Sequence, residues 1–187
     1  MQTREDILKL IEDYLSTFPV ETERAALIKS FVTEHYGAAL FDRKNFSGHL
    51  TASAFILNQE GTHLLLLKHK VLNRWLQPGG HIDITDESLE FAARREAQEE
   101  TGISLETLNS IYKGVFDFDS HLIPENTKKQ ELPHYHHDVR YLFRSLSNLV
   151  TIDALESTGH KWIPLRELAD DPDFGGVVQK IQRVKEF

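Results

Sequence analysis

Residues 79–103 read GGHIDITDESLEFAARREAQEETGI, centred on Arg95-Glu96-Ala97-Gln98-Glu99-Glu100-Thr101-Gly102. Glu96, Glu99 and Glu100 stand at i, i+3 and i+4. In a helix, residues three and four apart are neighbours, so these carboxylates share one face. Like charges at that spacing repel and destabilise a bare helix. A sequence that keeps them calls for a counter-charge, and a hard divalent cation fits. Mg2+ prefers a few carboxylates together with waters and substrate phosphates, and Mn2+ suits the same oxygen donors. Leu89, Ala92, Ala93 and Ala97 give the segment a small apolar face that can lie close on a sheet. The helix is predicted from Glu87 or Ser88 to Thr101, with Gly102 suited to the left-handed position after it.

Upstream, Pro78-Gly79-Gly80 is strong turn punctuation. Leu50–Leu57 and Thr62–His69 read as strands joined by the turn Asn58-Gln59-Glu60-Gly61, hence a hairpin. Downstream, Leu108–Phe118 reads as strand, His121–Pro133 as a long polar loop, and His134–Leu146 as strand. A further strand lies around Lys161-Trp162-Ile163, followed by a short helix at Leu165–Ala169 and a terminal helix over Gly176–Phe187. Helices and strands interleave, which favours an α/β sandwich. The first 45 residues differ in character. Ile7, Leu10, Ile11, Tyr14, Leu15 and Phe18 follow helical spacing, Pro19 interrupts it, and Leu27, Ile28, Phe31 and Val32 begin a second helix ending near Gly37. The chain is therefore divided into a helical extension, 1–45, and a catalytic-type domain, 46–187. The extension reads either as two helices covering one end of the core or as a specificity cap or dimer contact.

From Glu87 onward the segment resembles the Nudix signature. Glu87, seven residues, then Arg95-Glu96-Ala97-Gln98-Glu99-Glu100-Thr101-Gly102-Ile103 fits it, with Ala97 at the aliphatic position. One departure is visible: six residues, not five, separate Gly80 from Glu87. The run Trp75-Leu76-Gln77-Pro78-Gly79-Gly80-His81 also looks like the approach to such a box. The resemblance implies an α/β/α sandwich with a mixed sheet and Mg2+-dependent hydrolysis of a diphosphate linkage. It implies Glu96, Glu99 and Glu100 as metal ligands, one of them also a base, with Glu87 adding a carboxylate through water or metal. Backbone groups of Gly79 and Gly80 would face the metal, and Arg95 would pair with a box glutamate and hold its rotamer. Glu156 stands where relatives place an extra carboxylate near the metals, and it also reads as a surface residue. A homodimer is a family-level expectation.

Pro133-His134-Tyr135-His136-His137-Asp138-Val139-Arg140 is the second unusual segment. In a strand, alternate residues share a face, so His134, His136, Asp138 and Arg140 point one way. That set could contact substrate, with Arg140 on phosphate oxygens. It could equally be plain strand surface, or a zinc site, since imidazole is a common zinc ligand. Phe116 and Phe118 read as core or as stacking partners of a nucleobase.

The net charge of −8 argues against a general nucleic-acid binder. The chain has no cysteine, so neither disulfides nor a zinc–thiolate site is available. No signal-peptide-like apolar stretch opens the chain, and its longest aliphatic run, Leu64–Leu67, is far too short to cross a membrane. A cytoplasmic protein acting on a nucleotide-type small molecule is expected. Two rival readings share the scaffold. An isoprenoid-diphosphate isomerase would want a cysteine, and a non-catalytic nucleotide sensor would ordinarily lack part of the box.

Overall fold

The computed structural model describes residues 2–127 and 130–184. Two helices open the chain, α1 (Arg4–Thr17) and α2 (Ala26–Glu34). Thr3 caps α1 reciprocally with Asp6, and Pro19, two residues past its end, prevents continuation. Strands β1 (His49–Leu57), β2 (His63–His69), β3 (Trp75–Leu76) and β4 (Gly79–His81) follow, then helix α3 (Leu89–Thr101). The remaining elements are β5 (Leu108–Ser110), β6 (Asp117–Ile123), β7 (His134–Ser145), β8 (Ser157–Pro164) and α4 (Gly175–Val184). The predicted end of the last helix, residues 185–187, and residues 128–129 of the predicted loop lie outside the described residues.

One mixed sheet carries all eight strands. At its centre β1 runs parallel to β7, with His49 opposite His136 and Ser53 opposite Arg140. On its other side β1 pairs antiparallel with β2 at the predicted hairpin, and with β4, where Thr51, Ala52 and Ser53 face His81, Gly80 and Gly79. The alternation along β1 explains the layers. Leu50, Ala52, Ala54 and Ile56 join α1, α2 and α3 in one apolar cluster; Phe55 and Leu57 join Val177, Val178 and Ile181 of α4 in another. Two apolar faces, each closed by helices, make the α/β/α sandwich. The initial helices thus share the core of the sheet through Ile7, Ile11, Ile28 and Val32, all fully buried. Among the described residues no helix is long and apolar enough to cross a membrane.

Two local expectations shift, and one open alternative closes. Leu108–Phe118 is two strands rather than one. Ser110 faces Phe143 and Asp117 faces Arg140, so residues 111–116 must bulge over only Tyr141 and Leu142. The expected loop from His121 is strand as far as Ile123, paired with His134 across a hairpin. Phe116 and Phe118 are core, at 0 % and 1 % exposure.

Candidate functional site

The site is built on α3 and on the turn that precedes it. Ser88 caps α3, accepting a hydrogen bond from Phe91 N–H, and Gly102 closes it at φ +67°. Ala92, Ala93 and Ala97 are fully buried. These small side chains let α3 lie close on β1 and β4, and Glu96 and Glu100 run along the edge of that seam, against the Gly79–Gly80 turn.

Arg95 organises that face. Its Nε and Nη2 donate to Asp86 Oδ1 and Oδ2 at 3.0 and 2.8 Å, a bidentate fork. Its Nη1 donates to Glu96 at 2.9 Å and Glu99 at 3.0 Å, and Nη2 also donates to the His81 carbonyl at 2.9 Å. Asp86 is buried while Glu87 is exposed. The acid that engages the arginine is therefore Asp86, which five residues separate from Gly80. The extra residue lies between that acid and Arg95, and α3 begins late enough for Ser88 to cap it. Sequence reading missed Asp86 because Glu87 keeps the seven-residue spacing to Arg95.

Glu96 and Glu100 are half-buried, Glu99 mostly exposed. Burial, then the carboxylates of Glu156 and Glu96, push the Glu100 acid up to about 8, against one hydrogen bond from the Gly79 backbone N–H. Burial also raises Glu96, opposed by Arg95. Glu156 comes from the turn before β8, whose carbonyl accepts from Lys70 N–H at 2.8 Å while Asp153 N–H donates to the Glu100 carbonyl at 3.1 Å. The structure thus brings together Glu96, Glu100, Glu156 and Gly79, with Glu99 tethered through Arg95 and Glu87 apart at the mouth of α3.

The glycines leave this face uncovered. A Cβ on Gly80 would fall 2.6 Å from Glu96 Oε2, and one on Gly79 2.6 Å from Ser53 Cα. The Gly79 conflict is with backbone, which cannot yield. The Gly80 conflict is with the end of a flexible side chain. Gly80→Ala is therefore expected to fold normally, with its melting temperature near the wild type's, yet to lose about 10- to 100-fold in turnover as Glu96 swings away. Thermal melts beside steady-state kinetics check both halves.

The polar face of β7 divides in two. Asp138 and Arg140 belong to an internal charge network: Arg140 donates to Asp138 at 2.8 Å, Asp117 at 3.2 Å and Asp119 at 3.0 Å. Asp138 also accepts from Thr51 Oγ1 at 3.0 Å and Ser53 Oγ at 2.8 Å. Lys180 of α4 donates to Asp117 at 2.5 Å and to the Tyr14 hydroxyl at 2.7 Å. The guanidinium predicted on phosphate oxygens is instead surrounded by carboxylates. It supports Ser53, which backs Gly79, whose N–H holds Glu100. His134 and His136 point to the same face but into a group of histidines with His49 and His81. No sequence motif signalled those two, because only the β1–β7 and β1–β4 registers bring them in.

The donor set at Glu96, Glu99, Glu100 and Glu156 is all hard oxygen. Arg95 balances only part of its charge, and the charged groups acting on Glu100 are both acidic. That chemistry fits Mg2+ or Mn2+. It also has a pH signature. The folded Glu100 acid lies above the 4.5 of an ordinary glutamate. Between those values the folded chain keeps a proton that the unfolded chain has released, so stability falls as pH rises. In chelator, Glu100→Gln is expected to gain melting temperature over the wild type progressively from about pH 5 to about pH 8. A difference that stays constant across that window would contradict it.

The sequence matches the NUDIX domain over residues 48–181. It is 32% identical over 93 residues to a probable DHNTP pyrophosphohydrolase of Lactococcus lactis, covering 50% of this chain and 52% of that protein. It is 30% identical over 137 residues to Nudix hydrolase 8 of Arabidopsis thaliana, covering 71% of this chain and 34% of the relative. The chain thus spans about half, or about a third, of the length of these curated relatives. Among solved structures, a C. elegans Ap4A hydrolase binary complex superposes with a TM-score of 0.54 at 22% identity, over 74% of this chain and 98% of that one. At that identity the likeness is one of fold.

Proposed function

Since the chain belongs to the Nudix family, we propose that it is a Mg2+-dependent hydrolase of a diphosphate linkage in a nucleoside diphosphate joined to another group. The observation that carries this reading is the convergence of the Glu96, Glu100 and Glu156 carboxylates beside the Gly79–Gly80 turn, with Glu99 and Glu96 held by Arg95. Pyrophosphohydrolase and Ap4A hydrolase are names borne by proteins this chain resembles. Nucleoside triphosphates, normal or oxidised, nucleotide sugars, ADP-ribose and dinucleotides are the substrate classes in view.

Glu96, Glu99 and Glu100 would hold the ion, with Glu156 beside them, the Gly79–Gly80 backbone below, and Glu87 within reach through water. Bound Mg2+ supplies charge to the phosphoryl oxygens on which negative charge builds as water attacks phosphorus. The chain's own contribution is placement. Arg95 fixes the Glu96 and Glu99 carboxylates, and Asp86 fixes Arg95. Glu100, raised toward neutrality in the free site, accepts the Gly79 N–H and so keeps its carboxyl over the turn. One carboxylate of the group takes a proton from the attacking water as the P–O–P bridge breaks. Arg140 and Asp138 act further back, as positioning residues behind Ser53 and Gly79.

A substrate panel with Mg2+, coupled to phosphatase for phosphate detection, tests the reading. Turnover of one class, abolished by chelator, is expected. A folded protein that releases no product from any class with Mg2+ or Mn2+ would overturn it and leave a ligand-binding domain.

A further inference from the structure

His49 of β1, His81 of β4 and His136 of β7 come from three strands and meet on one face of the sheet. The register places His49 opposite His136, and Thr51, two residues along on the same face, opposite His81. One ligating nitrogen from each ring lies within 4.8 Å of the others. The ring centres are 4.6 to 5.3 Å apart. We infer that these three imidazoles form a binding site for a borderline divalent transition-metal ion of the zinc class, separate from the carboxylate centre.

Three observations support it. His49 is fully buried, and among the described residues neither of its ring nitrogens has a hydrogen-bond partner; the Asn45 backbone lies alongside but outside bonding geometry. A buried polar group left unpaired is destabilising, and an apolar side chain there would avoid that cost. A metal ion supplies the missing partner. Second, the three residues sit on neighbouring hydrogen-bonded strands, so the β1–β7 and β1–β4 registers fix their backbone positions relative to one another. Third, two flanking rings are already oriented as ligating histidines are. His134 Nδ1–H donates to the Leu132 carbonyl at 2.7 Å, and His121 Nδ1–H donates to the Asp119 carboxylate at 2.9 Å.

The geometry is close to what the ion needs. Zinc–imidazole bonds of roughly 2.0–2.1 Å put tetrahedral ligand atoms about 3.3 Å apart. Small rotations of the half-buried His81 and His136 rings toward the fixed His49 ring would close the site. Three protein nitrogens leave one position for water, a further histidine or a ligand atom, the pattern of an open site. Nitrogen donors select zinc, nickel or copper over Mg2+, and the carboxylate centre selects the reverse. The two sites adjoin, since His81 follows Gly80 and its carbonyl accepts from Arg95. Metal binding by the histidines is independent of the diphosphate reading, because it is measured without substrate.

The test is a Zn2+ titration of the chelator-stripped full chain against a chromophoric competitor, with Mg2+ in excess to occupy the carboxylate centre. The wild type is expected to bind one equivalent. Affinity is expected to fall at least about tenfold in His136→Gln and in His81→Gln, each shown folded by circular dichroism, and to persist in Glu100→Gln. Co2+ is expected to give the absorption of a nitrogen-ligated, low-coordinate ion; this wild-type readout decides if either variant misfolds. No stoichiometric Zn2+ binding, equal binding by folded histidine variants, or loss in Glu100→Gln would each overturn the proposal.

Discussion

Glu100→Gln is expected to lose at least about 100-fold in turnover while keeping the fold and gaining stability in the absence of metal. Three features of its surroundings set the size. The side chain is the same shape, so packing on α3 and the contact with Gly79 survive. What disappears is one negative charge at the point where Glu156 and Glu96 converge. A divalent ion held by carboxylates depends on that charge, and the phosphoryl oxygens depend on the ion. Glu99→Gln should also lose most turnover, although Glu99 is more exposed and tethered through Arg95. Steady-state kinetics beside Mg2+ titrations separate lost metal affinity from lost chemistry. Full activity in both variants would remove this carboxylate face from catalysis.

Arg140→Leu is expected to destabilise the protein by about 3–5 kcal/mol, because removing one partner leaves buried charges uncompensated. Asp117 keeps Lys180 and Arg24 as cations, so the loss concentrates elsewhere. Asp138 is 3 % exposed and has Arg140 as its ion-pair partner; after the substitution only Thr51, Ser53 and Gln77 would remain to donate to it. Asp119 retains a 3.8 Å approach of Arg24 and its contact with His121. Urea denaturation measures the change. The companion variant Asp138→Asn, which removes a charge rather than stranding one, is expected to cost clearly less. A loss below about 1 kcal/mol in Arg140→Leu would mean that the network is not held by its arginine. Where the variant still folds, a drop in turnover would trace the path from Arg140 through Asp138 and Ser53 to Gly79.

How legible this was depended on the range of the interaction. The carboxylate helix could be read directly, because its face is fixed by spacing of three and four, its start by Ser88 and its end by Gly102. The sandwich followed from interleaved apolar periodicities, and the β1–β2 hairpin from one turn. Asp86 was not legible: Glu87 keeps the seven-residue spacing to Arg95, and only the late start of α3 shows which of two adjacent acids turns inward. Arg140 was read as open to substrate because strand alternation gives a face, not the occupants opposite it. Asp117 and Asp119 reach it across β6, whose register depends on a bulge over residues 111–116. His49 and His81 carry no local signature. They matter because β1 runs parallel to a strand 87 residues later, a pairing no short window contains.

The measurement that tests the account most directly is the Mg2+ dependence of diphosphate hydrolysis by the chelator-stripped wild type, with Glu100→Gln alongside. The expected result is no turnover without the ion, saturable recovery as Mg2+ is added, and no recovery in the variant at the same concentrations. Hydrolysis that persists in chelator, or a variant that recovers with the wild type, would contradict a carboxylate-held metal as the centre of this protein's chemistry.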